Sequence, residues 1–365
     1  MRIARRTLLA ATVTLPFTGK PALAQDVQPD PPWVLLANGQ PTDPLGRWSH
    51  TLIIDTWHNR LVLIGGRDAE GPVKGDLFIF DLGNWSWSEL DLSGPKARSG
   101  SAAAAAADGS GFYYFGGESD DTVFDDLWWF DYATTAWRQL EPTGPGPSAR
   151  AGSRGAVDAF GRFVIAHGRN GDTLFDDLWA YDPASKNWTV LAQAAVGAPV
   201  ARFDHDLVAL PDYGVLLLGF GAASADGSAR LGDLWSYDMY NDFWSEVTPE
   251  TGPTTRSGAA MSRLGNSVLL VGGDSELGLQ SDVWTGDLFE GYVRWTELTP
   301  VNHGPLGIYR RAWHDMTAAN GEYYVFGGYG VEGALSDLWK FSPDRIEHPG
   351  DESDYIEPSD EFDEG

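Results

Sequence analysis

The chain has 365 residues, with 25 Lys and Arg against 52 Asp and Glu, a formal net charge of −27 and no cysteine. A charge that negative repels phosphates, which argues against nucleic acid and anionic bilayers as partners and favours cationic ones. Without cysteine no disulfide framework supports the fold, and stability must come from the core.

Residues 1–24 hold Arg2, Arg5, Arg6 and Lys20, no acid, and an apolar stretch from Leu8 to Phe17 that runs on to Ala22-Leu23-Ala24. That is the pattern of an export signal, too short for a membrane span. Arg5-Arg6-Thr7-Leu8-Leu9 matches a twin-arginine motif, so passage in the folded state to the periplasm or the medium is expected. Losing the segment takes the net charge from −27 to −31. A short linker over 25–32 follows.

From Trp33 to Phe341 one pattern recurs six times, about every fifty residues. It consists of an Arg, a Gly pair some 16 to 18 residues later, Asp-Leu-Trp or a close variant, and a further Trp. The pairs are Gly65-Gly66, Gly116-Gly117, Gly272-Gly273 and Gly327-Gly328, with His167-Gly168 and Gly219-Phe220 taken as the two degenerate copies. In the second copy, turn residues separate four predicted strands: a small-residue first strand over 101–107, then 111–115, 127–130 and 137–140. Small residues suit an innermost strand near a central axis, and aromatic residues suit the wider outer strands. The sixth copy has no fourth strand; Trp33-Val34-Leu35-Leu36, with the same Trp-x-x-Leu form as Trp137 to Leu140, is expected to supply it and close a ring. Beyond the repeats, residues 343–365 form an acidic tail expected to be disordered, with eight acids among the last fifteen residues.

A fifty-residue period with a glycine pair resembles the kelch repeat, one four-stranded propeller blade per copy, over about residues 33 to 342. The resemblance implies an all-β fold, a six-bladed kelch β-propeller whose ring is closed by the N-terminal strand in the last blade. It says less about function, because kelch propellers include adhesion and adaptor modules, copper oxidases, sialic acid mutarotases and specifier proteins. The copper oxidases are excluded, since their cofactor needs a Cys. No cofactor and no metal are expected; the acids of 121–126 and 172–177 lack the spacing of a calcium loop and read as turn residues.

Strand one begins where strand two ends, so two sets of residues meet at one end of the propeller. One is the repeat arginine, Arg47, Arg98, Arg150, Arg202, Arg256 and Arg311, either binding an anionic ligand or holding loops together through backbone carbonyls. The other follows the Gly pair: Arg67, Glu118, Arg169, Asp274 and Tyr329, with Gly221 or Ala222 in the fourth copy. The tryptophans of strands three and four read as packing between blades, and the Asp of Asp-Leu-Trp as a turn carboxylate. Departures from the repeat carry more functional information than the repeat itself, which singles out Arg67, Arg169, Glu118, His167 and Asp274. A second asymmetry lies on strand one, where Trp48 and His50, His205 after Phe203, and Trp313 and His314 put an aromatic between Arg and His. The expected function is an exported scaffold, a monomer, binding a protein or a small acidic ligand at this face. The alternative is a carbohydrate-active enzyme resembling a sialic acid mutarotase, with Glu118 beside Arg67 or Arg169 as its acid–base group.

Replacing Arg5 and Arg6 together by Lys is expected to leave the full-length precursor in the cytoplasm, as read by cell fractionation. Undiminished export of the double variant would show that another route carries the chain.

Overall fold

A computed structural model describes residues 32–193, 197–249, 251–265, 267–289, 292–298 and 308–345. The expected export signal, most of the linker and nearly all of the acidic tail lie outside them; of the tail only Pro343–Arg345 is described, as a short 3-10 turn.

The repeat builds six four-stranded antiparallel sheets, in chain order the blades of a β-propeller. The second blade pairs Ala102–Ala105, Gly111–Phe115, Leu127–Asp131 and Ala136–Leu140, within two residues of the expected bounds. The first strands of successive blades neighbour one another all the way round, the sixth against the first. Trp33–Asn38 lies antiparallel on Asp337–Phe341, with Trp33 opposite Phe341, so the N-terminal strand supplies the fourth strand of the last blade. This pairing covers an edge that would otherwise present unpaired N–H and C=O groups.

The core is divided among the blade contacts. Ile53, Val62, Ile64 and Ile79 of the first blade pack on Phe112, Tyr114 and Phe130 of the second, and five similar clusters fill the other junctions. Fourth-strand tryptophans reach the preceding blade at or just past the end of its second strand: Trp87 meets Phe326, Trp188 meets Phe115, and Trp295 meets Phe220. Edge contacts of this kind suit the aromatic quadrupole. Small residues do not fill every innermost strand. Only the second blade has Ala102–Ala105; the first has Thr51–Asp55 with Leu52 and Ile53 buried, because consecutive side chains there enter the two flanking blade junctions, Leu52 toward the sixth blade and Ile53 toward the second.

The Gly pair needs one correction in the fourth blade. The first position of each pair has φ between 52° and 68°, which His167 and Phe220 adopt as well as Gly65, Gly116, Gly272 and Gly327. The second has φ between 92° and 104° and is glycine in all six copies. The pair is therefore Phe220-Gly221, not Gly219-Phe220, and the residue after it is Ala222, which bridges to Phe203 as Glu118 does to Ser99. Each second-position N–H donates to the carbonyl of the next blade's repeat arginine at 2.8 or 2.9 Å, Gly328 donating to Arg47 across the closure.

The six repeat arginines are not at the surface. Each is 0–1% exposed. Nε donates to the carbonyl two residues earlier. Nη1 donates to the first carbonyl of its own blade's Gly pair at 2.7 to 3.1 Å. Both Nη atoms then grip the Asp of Asp-Leu-Trp, as Arg202 grips Asp233 at 2.7 Å twice. Of the two roles open to Arg47, Arg98, Arg150, Arg202, Arg256 and Arg311, burial leaves them the structural one. Asp76, Asp126, Asp177, Asp233, Asp282 and Asp337 are accordingly guanidinium partners rather than turn residues, and all but Asp76 also accept the Nε1 hydrogen of the Trp two residues on. Burial pushes the carboxyls of Asp126, Asp177 and Asp233 up, but hydrogen bonds from their arginines prevail and hold them below the usual range.

Removing one partner of such a pair leaves a buried charge uncompensated. Asp233→Ala is expected to destabilise the propeller by about 3 kcal/mol or more in urea unfolding. A change under about 1 kcal/mol would mean that Arg202 is solvated in the folded state.

Candidate functional site

The ends of the first strands form a narrow collar about the axis. Two residues after each repeat arginine stand Ser49, Gly100, Gly152, Asp204, Gly258 and Trp313, all with φ between 50° and 67°. That left-handed turn aims each N–H at the same position of the preceding blade: Gly100 donates to Ser49, Gly152 to Gly100, Asp204 to Gly152, Gly258 to Asp204, Trp313 to Gly258 and Ser49 to Trp313. These six bonds, 2.6 to 2.9 Å long, close a circle. Only three of the six residues are glycine. Ser49, Asp204 and Trp313 hold a conformation that costs an L-residue of order 1 kcal/mol, and such strain gathers at functional sites.

On the side of the Gly-pair loops a cavity of about 260 Å³ opens above the collar, lined by Trp48, Ser49, Arg67, Ser99, Glu118, Arg169, Asp204 and Trp313 among others. The fold thus brings together five of the expected site residues: Trp48, Arg67, Glu118, Arg169 and Trp313. Short pairings place them, Trp48 opposite Arg67, Ser99 opposite Glu118 and Ala151 opposite Arg169. Arg169 reaches Glu118 at 3.2 Å and lies over the Phe203 ring at 4.8 Å. Arg67 donates to the Gly71 carbonyl at 2.9 Å and to Asp120 at 2.8 Å. Trp48 packs edge-on against Tyr329 with ring centres 5.2 Å apart, and Trp313 donates its indole hydrogen to Asp204 at 2.9 Å.

Asp274 is not among the lining residues of this cavity; it pairs with Arg230. The four histidines are interior too. His50, His205 and His314 are 0–3% exposed and His167 is 0% exposed. Each strand-one histidine covers the first Gly-pair position of the preceding blade: His50 lies over Gly327, His314 over Gly272 and His205 beside His167, with ring centres 5.5 Å apart. Expected as ligands of the face, these four are instead buried between blades, with His50 and His314 also bordering the narrow waist of the axis. Burial, aided by neighbouring arginines, lowers His50 and His167 to about 3 and puts His205 and His314 well below the ordinary value.

Sequence reasoning missed Asp204 and a further set, Arg154, Asp206 and Asp315, four residues after their repeat arginines. Arg154, Asp206 and Asp315 line a second cavity of about 270 Å³ bounded by the first strands, beyond the collar. Between the two cavities the axis narrows to about 20 Å³ beside Asp204, Trp313 and the collar glycines, room for about one water. The signal was available: aligning the copies on their arginine exposes the odd residues at the second and fourth positions.

A family model described as the KLHDC2/KLHL20/DRC7 Kelch-repeats domain matches residues 33–221 and 198–348. Acyl-CoA-binding domain-containing protein 5 of Arabidopsis thaliana is 33% identical over 309 residues, covering 80% of this chain and 45% of its own. Kelch domain-containing protein 3 of Rattus norvegicus is 28% identical over 173 residues, 46% of this chain and 44% of its own. Tip elongation aberrant protein 3 of Schizosaccharomyces pombe is 27% identical over 175 residues, 40% of this chain and 15% of its own. The chain spans less than half the length of each of these relatives.

The depressed histidines fix a pH dependence. Above pH 6.5 they are neutral folded or unfolded; below it the unfolded chain takes up protons that the folded chain refuses, so stability is lost as pH falls from 6.5 toward 3. Asp206, raised by burial to about 7, acts in the opposite sense, its contribution being lost as pH rises through 7. Asp204 and Asp315, also raised by burial, act in the same sense as Asp206, so four imidazoles are set against three carboxyls. Melting temperature is expected to drop between pH 7 and pH 5, His50 and His167 each costing roughly 2 kcal/mol at pH 5, with a shallower slope in His314→Gln. A flat profile would mean that protons reach the imidazoles in the folded state.

Proposed function

The chain belongs to the kelch-repeat family, and from that premise we propose that it is a binding scaffold that takes a protein partner through the cavity at the Gly-pair end of its axis. The observation that carries this reading is the convergence there of Trp48, Arg67, Glu118, Arg169 and Trp313, residues at which the blades differ, on one recess. A segment entering it would find two indoles and two guanidinium groups. Rings of this kind, with arginine, are the side chains that dominate protein interfaces.

The charges there are available for exchange. Asp120, which holds Arg67, has a side chain 70% exposed, and ion pairs at such sites are worth little. A carboxylate on the partner can take its place with better desolvation and a bidentate geometry. A small acidic ligand would meet the same groups. Action after export is part of the proposal and rests on residues 1–24 alone.

Panning a random peptide library on the purified protein tests the reading. Enriched peptides are expected to bind with an affinity that Trp48→Ala and Arg67→Ala each lower about tenfold or more. Peptides that bind both variants as well as the parent would place the interaction elsewhere. Thermal shift against sialic and uronic acids runs alongside: saturable stabilisation that Glu118→Gln abolishes would overturn a scaffold role in favour of a sugar-acid enzyme.

A further inference from the structure

The second cavity has a chemistry of its own. Asp206, only 4% exposed, lines it. Its Oδ1 accepts the Met261 N–H at 3.1 Å, and its Oδ2 has no hydrogen-bond partner among the described residues. A buried carboxylate oxygen left without a donor is costly, and burial, with the charges of Asp315 and Asp204 adding to it, raises this carboxyl to about 7. Asp315 lines the same wall, accepting the Leu52 N–H at 2.8 Å and the Met316 N–H at 3.0 Å.

Arg154 stands with them. Its Nε donates to the His205 carbonyl at 3.1 Å, and Nη1 is 3.5 Å from Asp315, beyond a good hydrogen bond. Asp315, Asp206 and Asp204 all act on it electrostatically, so three carboxylates face one guanidinium. Arg263 also lines the cavity, and the carboxylate of Asp212 beside it balances its charge. The surplus is negative. The half-buried Ala104, Ala105, Val157 and Ala209 supply apolar wall.

We propose that this chamber is a binding site for a small organic cation, a primary alkylammonium group whose N–H donors go to Asp206 Oδ2 and to Asp315, with its methylenes against the alanines. An ammonium has three donors, suited to two carboxylates that already serve backbone N–H groups, and it offsets the surplus charge. A divalent ion fits less well: among the described residues no group of three or more His, Asp or Glu side chains could hold a metal, and Arg154 would repel it. An anion would meet the surplus carboxylates. The site lies across the collar from the recess that carries the proposed function, so either reading can fail without the other.

Titration of the full chain with n-butylammonium chloride, followed by NMR and calorimetry, tests the site, with sodium butyrate, magnesium chloride and calcium chloride as parallel arms. Saturable one-to-one binding of the amine is expected, weakened about tenfold or more by Asp206→Asn, tightened by Arg154→Met, which removes the competing charge, and unchanged by Trp48→Ala. The proposal is overturned if butyrate or a divalent cation binds in place of the amine, or if Asp206→Asn leaves amine binding intact. Should Asp206→Asn fail to fold, Arg154→Met decides alone, since unchanged or weaker amine binding in it overturns the site.

Discussion

The propeller depends on one buried arginine per blade. Its guanidinium joins the carbonyl that starts the Gly pair to the carboxylate that opens strand three, while its own carbonyl accepts the N–H of the preceding blade's second glycine. A single residue thus ties strands one, two and three of its blade and fastens that blade to its neighbour. Lysine could not substitute, because the work needs a planar fork with donors in three directions. An ion pair with a fully buried cation gains little net energy, yet breaking it is expensive, so the unit acts as a condition of assembly more than a source of stability. The apolar clusters between blades supply the stability.

The same geometry confines variation. Once the arginine, the second glycine and the Asp are fixed, a blade can differ near the axis at the second and fourth residues after the arginine and at the residue after the Gly pair. Ser49, Asp204 and Trp313 break the run of collar glycines; Arg154, Asp206 and Asp315 break the run of Thr51, Ala102 and Ala260; Arg67, Glu118 and Arg169 differ among themselves. A sixfold scaffold therefore carries an interior without sixfold symmetry, and the asymmetry lies along one line.

Much of this was legible in the chain, and the failures have physical causes. Trp33 to Leu36 could be assigned to the last blade because its form repeats that of other fourth strands and the sixth copy lacked one. The arginines were located along their strands, but spacing does not say to which side a side chain turns; only packing puts Arg47 at 0% exposure while Arg67, its near neighbour across the turn, stays partly open. The fourth Gly pair was set one residue early because Gly219 looked like its first member, whereas the backbone demands glycine only at the second. Asp206 and Asp315 were passed over because an acid beside a histidine in a strongly acidic chain is not conspicuous until the copies are aligned.

The collar makes those two acids matter. Six backbone hydrogen bonds around the axis cannot shift singly, since moving one left-handed residue breaks the bonds on both sides. The constriction is hence a rigid part of the fold rather than a gate, and it separates a recess with two indoles and two arginines from a chamber where Asp206 and Asp315 stand with Arg154. Charges across it still interact, because a low-dielectric wall screens little: Asp204 of the recess acts on Arg154 of the chamber. One axis thus presents different chemistries at its two ends, aromatic and mixed in charge in the recess, carboxylate and aliphatic in the chamber.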